Sequence, residues 1–298
     1  MTETTYPPSG RLSPLASILI VFGLVLVLSS VSQLALALPL IQWLTGAGDL
    51  VEFSAHPERY PRGWLATMLV QAVASFFSYA LSAWIYIRLI EKRNPFPSVK
   101  SSPLFWILTP VVVIACIPFN GLIYEWNQLL PMPQWMIDME GKLKVLTEYL
   151  TNFRTPAHFL FGLLVIGVIP ALGEELLFRG ALQPVFQRWS GNAHVGIWVA
   201  AAVFSAIHVQ FMGFFPRMLL GALFGYLYLW SGNLWVPVWA HFVNNGFTVT
   251  MMYVKKLGLT SVDPDGNVPA AIAVLSLAAT AGILAVLYRR RKGQGLGV

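Results

Sequence analysis

The segment Gly173-Glu174-Glu175-Leu176-Leu177-Phe178-Arg179 sets two adjacent carboxylates and an arginine inside a long apolar run. A charge near the bilayer centre costs roughly 2.5–3.5 kcal/mol on insertion scales, so ionisable groups there call for a partner or a task. On a helix, Glu175 and Arg179 are four residues apart and share a face, which allows a charge-assisted pair. Glu174 points about 100° away from that pair. One carboxylate is thus held by a partner while its neighbour is left for other work, and the sequence leaves open whether Glu174 or Glu175 is the general base. The plainer alternative is an ion pair that stitches helices together, or the polar end of a span.

Two histidines on later apolar segments shift the balance. His208 follows Phe204 by four residues, and His241 precedes Asn245 by four, so each pair can share a helical face. A single membrane histidine is more often a satisfied core residue than a catalyst. Two of them, on spans separate from the glutamates, converge only in the interior of a bundle, where intramembrane ionisable groups gather. His56, His158 and His194 fall in loops or near segment ends and read as surface or interfacial residues.

This set can hydrolyse an amide in two ways. In one, His208, His241 and Glu174 hold a zinc ion while the neighbouring glutamate takes the proton of the metal-bound water. In the other, a glutamate helped by His208 activates water, and His241 and Asn245 donate to the tetrahedral oxyanion. The two share the glutamates and histidines, and the sequence leaves both open. The soluble zinc-protease helix motif is absent, as is Gly-x-Ser-x-Gly, and Cys116, the only cysteine, lies outside the charged segments.

The elements that must position these groups are membrane spans. Of 298 residues, 56% are hydrophobic and 11% charged. Apolar runs of roughly 20 residues are long enough to cross a bilayer, and about eight occur, near 15–44, 63–90, 103–123, 157–189, 193–211, 214–230, 235–254 and 268–288. Lipid satisfies no peptide group, and the runs lack the alternation of barrel strands, so the expected fold is all-α and polytopic. Pro110 and Pro118 are expected to bend the third run. Residues 131–155 alternate apolar and charged side chains as an interfacial amphipathic helix does, placed either to roof the site or to connect spans. The first run exceeds a signal-peptide core despite Ala35-Leu36-Ala37 near its end, and reads as a span.

The net charge of +6 is gathered beside spans, in Lys92, Arg93 and Lys100 and in Arg289–Lys292. That is the pattern that orients membrane helices, and it argues against a nucleic-acid partner. It puts both termini on the cytoplasmic side, with Asp49, Glu52 and Glu58 outside; Lys255 and Lys256 also fall outside, near Asp263 and Asp265. The expected organisation is a tail over 1–14, one membrane domain over 15–288 and a basic tail over 289–298.

Three motifs taken together resemble the CAAX protease and bacteriocin-processing family, the Abi or CPBP membrane peptidases that include the Ras-converting endopeptidases. Glu174, Glu175 and Arg179 are similar to its paired-glutamate motif, Phe204 and His208 to its aromatic–histidine motif, and His241 and Asn245 to its histidine–asparagine motif. Leu220–Tyr228 and Ser231–Trp235 also resemble the family's glycine-bearing span and following turn, within a family-like core of about 157–254. The resemblance implies an interior polar cavity and proteolysis of membrane-associated polypeptides in a bacterial or archaeal cytoplasmic membrane, with lipid and peptide as partners. The rivals from other classes are a proton-coupled transporter and a catalytically silent scaffold or immunity protein. One geometric difficulty stands: with centred spans, His208 and His241 differ in depth by roughly 10 Å at about 1.5 Å per residue. Tilt, or kinks at Pro170 or Pro237, would have to absorb it.

Overall fold

Backbone groups in apolar surroundings must bond within their own segment, and the chain meets that demand with helices throughout. The computed structural model describes residues 12–96, 100–260 and 267–292. Most of the expected N-terminal tail, Asp263 and Asp265, and the last residues of the basic tail lie outside these. Among the described residues there is no strand.

Among the described residues nine longer helical elements carry the architecture: α1 (Pro14–Thr45), α2 (Gly63–Ile90), α3 (Pro103–Gln128), α4 (Gln134–Leu150), α5 (Pro156–Ser190), α6 (Ala193–Ala206), α7 (Phe214–Ser231), α8 (Trp235–Lys256) and α9 (Ala270–Lys292). Six elements are long and apolar enough to cross a membrane among the described residues, against the eight expected. The two that fall short are α6 and α8. α6 has only 14 residues, about 21 Å at 1.5 Å per residue, too short for the hydrocarbon core. α8 has the length, 22 residues, but carries His241, Asn244, Asn245, Lys255 and Lys256 and is too polar to qualify on composition.

Helix α3 runs unbroken through Pro110 and Pro118. Its ladder is repaired from outside at the second proline: Ser276 of α9 donates to Ala115 O and accepts from Phe119 N at 3.0 Å. α6 and α7 pack closely because Gly221 and Gly225 present no side chain. A Cβ on Gly221 would stand 3.2 Å from the Ala201 backbone, and one on Gly225 would stand 2.8 Å from Ile197. The same closeness leaves the Gly221 carbonyl open to a partner from α5.

The core divides around α5. One cluster joins α3, α6, α7 and α8 through Phe105, Ile197, Leu227 and Val236. The other joins α1, α2, α5 and α6 through Val21, Tyr86, Phe178 and Phe204. α5 therefore has protein on nearly every side of its central turns, which is why its charged residues are buried rather than lipid-facing.

A candidate hydrolytic site between α5, α6 and α8

Glu175 is fully buried and Arg179 almost so, at 0% and 1% exposure. Arg179 Nη1 donates to Glu175 Oε1 at 2.9 Å, and Nη2 donates to the Gly221 carbonyl at 2.7 Å. The guanidinium also lies 5.1 Å and 5.5 Å from the ring centres of Phe204 and Phe224. Glu175 Oε1 takes a second bond, from His241 Nδ1 at 2.7 Å. A buried carboxylate is thus shared between one cation and one imidazole, the arrangement that makes such burial tolerable.

That hydrogen bond fixes more than position. A carboxylate accepts, so His241 Nδ1 carries the proton and Nε2 presents a lone pair. Stacking on Phe224, 5.2 Å between ring centres, and an edge contact with Phe204 lock the ring plane. His208 is set by the same logic: Nδ1 lies 2.7 Å from the Phe204 carbonyl, which can only accept, so Nε2 again offers a lone pair. Both Nε2 atoms stand 3.8 Å from Glu174 Oε2. This oxygen, like Glu175 Oε2, is buried without a hydrogen-bond partner among the described residues.

Three acceptors therefore face one point, from α5, from α8 and from the turn after α6. At 3.8 Å they are too far apart to bond one another, and the spacing suits a water bridging them. Access comes from the His208 side, because that side chain is 27% exposed while those of His241 and Glu174 are 5% and 9% exposed. The donor set matches the two-histidine, one-carboxylate chemistry of catalytic zinc. As spaced, however, no three His, Cys, Asp or Glu side chains among the described residues form a cage able to hold a metal ion.

The depth difficulty is resolved by where α6 stops. It ends at Ala206, so His208 lies in a turn and not on a helix continuing to 211. Val209 adopts a left-handed conformation, φ 54°, which no β-branched residue takes without cost. The turn is pinned from outside: Asn127 of α3 donates to the Phe211 carbonyl at 3.1 Å and accepts from Phe215 N at 3.0 Å. Pro237 stands in the first turn of α8, whereas Pro170 lies inside α5, directly after the π-helical stretch Leu163–Val168.

Asn245 is oriented elsewhere. Its amide donates to the Ile166 carbonyl at 3.2 Å and accepts from Asn244 at 3.1 Å, so its hydrogen bonds tie α8 to α5. Two residues at the site were not singled out from the sequence. Asn127 could not have been found by spacing, since it reaches the site from a distant helix. Arg217, hydrogen-bonded to Gln210 Oε1 at 2.6 Å, lies within electrostatic reach of Glu174 and His208; a basic residue in the first turns of an apolar run was its visible sign. Above this turn, Trp135 of α4 meets Phe211 edge-on at 5.3 Å, and Glu140 of α4 accepts from Met212 N at 3.3 Å. α4 therefore lies against the rim of the site.

The fold and the site define an integral membrane protein, all-helical, with a carboxylate–imidazole cluster enclosed between its helices. Residues 156–247 match the family model described as type II CAAX prenyl endopeptidase Rce1-like. Two proteins of Bacillus subtilis strain 168 are similar. "Uncharacterized protein YpbD" is 36% identical over 149 residues, which cover 49% of this chain and 67% of that protein. "Putative membrane peptidase YdiL" is 24% identical over 89 residues, 30% of this chain and 36% of that one. No solved structure matches the chain. The chain belongs to the Rce1-like type II CAAX prenyl endopeptidase family, and its matched segment contains every residue of the cluster described above.

Proposed function

We propose that this protein is an intramembrane endopeptidase that cleaves membrane-associated or lipidated polypeptides, with Glu174 as the general base. The observation that carries the reading is the unpartnered Glu174 Oε2 facing two imidazole lone pairs at 3.8 Å. A water held there donates one proton toward Glu174 and the other toward His208 Nε2, leaving its oxygen lone pair free to attack a peptide carbonyl. Glu175 is the weaker candidate because Arg179 and His241 both bond its Oε1, a cation and an N–H that favour its ionised form and lower its basicity; its task is to hold the His241 ring. Protonated Glu174 then returns its proton to the leaving amine.

The hydrogen bonds favour this division over one in which His241 and Asn245 form the oxyanion hole. His241 Nδ1–H is committed to Glu175, and one of the two N–H donors of the Asn245 amide goes to Ile166. For zinc, the ligands would be His208 Nε2, His241 Nε2 and Glu174 Oε2, and the ion would lower the pKa of its bound water. Because the three do not form a closed cage, no step is assigned to it. We further infer a bacterial or archaeal cytoplasmic membrane with both termini on the cytoplasmic side, from the basic residues that follow α2 and close α9.

The test is purified protein offered lipidated and unlipidated peptides, with product masses read directly and metal content measured on the active fraction. Cleavage lost in Glu174→Ala and His208→Ala supports the assignment. Undiminished cleavage by both variants, or substrate uptake into proteoliposomes without hydrolysis, overturns it. Activity that falls as a chelator removes a stoichiometric metal would move the mechanism to zinc.

A further inference from the structure

A cavity of about 340 Å³ opens at one end of the bundle, among Tyr60, Arg62, Trp64, Tyr149, Arg154 and Glu58. It is bounded by the first residues of α2, the end of α4 and the first turn of α5, and Lys256, the last residue of α8, bonds Asn152 on its wall. α2 and α5 both cross the membrane and both begin here, so the cavity lies at the boundary between lipid and water. It is separate from the hydrolytic site: Glu174 is 18 residues along α5 from Pro156, roughly 27 Å at 1.5 Å per residue.

Its lining carries two arginines against one carboxylate, Glu58. Neither Arg62 nor Arg154 has an ion-pair partner among the described residues, whereas nearby Arg59 is taken by Glu52 and Glu58 by His56. The floor is rigid: Trp64 Nε1 donates to the Leu150 carbonyl at 3.0 Å, and its ring stacks on His158 at 4.5 Å. Arg62 is held at φ 55°, a left-handed conformation that glycine adopts more cheaply. Its backbone does not ask for an arginine, so the side chain has to account for one. Immediately beyond the cavity, Leu160 and Leu164 stand exposed along α5.

We propose that this cavity binds the headgroup of a membrane phospholipid, with the phosphodiester between the Arg62 and Arg154 guanidinium groups and the acyl chains along the Leu160–Leu164 face of α5. Two unpaired guanidinium groups are suited to a phosphate, whose oxygens accept their forked N–H donors. Tyrosine and tryptophan at the rim are the side chains that settle at headgroup depth. The exposed leucines favour a lipid over a soluble phosphate ester. The proposal is independent of the peptidase reading, and its test needs no substrate.

The full-length protein in detergent is titrated with dihexanoylphosphatidylglycerol, and binding is read calorimetrically. Two further arms use dihexanoylglycerol, which lacks the phosphate, and glycerol 3-phosphate, which lacks the chains. The phospholipid should bind saturably and at least tenfold more tightly than either. Arg154→Gln and Arg62→Gly should each weaken it tenfold or more. Arg62→Gly relaxes the backbone, so its loss of binding would not reflect misfolding. Equal affinity for dihexanoylglycerol, or unchanged phospholipid affinity in the double variant, overturns the site. Equal affinity for glycerol 3-phosphate overturns the lipid assignment.

Discussion

Removal of the Arg179 guanidinium is the sharpest test of how the site is held. In Arg179→Met the volume is roughly kept, but Glu175 loses its cation and the Gly221 carbonyl loses its donor, both in a fully enclosed place. Breaking one partner of a buried ion pair costs about 3–5 kcal/mol, because the other charge stays buried and uncompensated. The contacts with Phe204 and Phe224 add to the loss, since a cation over an aromatic face contributes roughly 0.5–2 kcal/mol. His241 still bonds Glu175 and offsets part of it, so the expected loss stays at about 3–5 kcal/mol, on the order of 10 °C in melting temperature. Removing both charges in Glu175→Gln/Arg179→Met should recover most of this, because replacing a buried pair by neutral groups is often near neutral. Thermal unfolding of the four proteins in one detergent closes the cycle. An Arg179→Met variant within about 1 kcal/mol of wild type, or a double variant no better than the single, would refute the claim that charge compensation holds α5 against α7.

Glu174→Gln should behave in the opposite sense, cutting peptide cleavage by about 10²–10⁴ while leaving melting unchanged or raised, because a base is lost but no hydrogen bond of Glu174 Oε2 is. Val209→Gly should stabilise the protein by about 0.5–1 kcal/mol in chemical unfolding, the left-handed strain of valine being larger than the added backbone entropy of glycine. Outside the spans, burial favours the neutral form of the Glu91 carboxyl, but Arg93 at 2.5 Å and Arg188 at 2.8 Å outweigh it and hold it below its usual 4.5. A carboxyl shifted down in the fold contributes stability that is complete above 4.5 and lost as pH falls through its lower folded value. The melting difference between wild type and Glu91→Gln should therefore shrink as pH drops below 4.5, and a difference that is flat or growing there would count against the clamp.

The all-helical class was legible because lipid allows so few ways to satisfy a backbone, and long apolar runs state their lengths directly. What a run does not state is where its helix stops. The apolar residues from 193 to 211 read as one span, yet the helix ends at Ala206, and nothing in their hydropathy announces a left-handed valine three residues later. Asn127 shows the same limit from the other side. In sequence it is one more amide at the end of an apolar run; in space its two hydrogen bonds hold the turn that carries His208.

The candidate site was legible in its members and not in their orientation. Spacing pairs Glu175 with Arg179 on one face, but four-residue spacing equally suggested that Asn245 joins His241, and the structure gives that amide to Ile166. The difference lies in which face of each helix meets a partner. From Gly173 to Phe186 every position of α5 is buried, so geometry within the helix carries over into the fold. α8 faces α5 at several heights, and a residue one turn beyond His241 meets the α5 backbone instead of the cluster. The lone pairs on His208 and His241 are one step more remote again. They follow from the acceptors bonded to Nδ1, the Phe204 carbonyl and the Glu175 carboxylate, and each is brought to its ring by packing as well as by spacing. The hydrolysis proposed for this bundle thus rests on two hydrogen bonds that turn both imidazoles toward Glu174 Oε2.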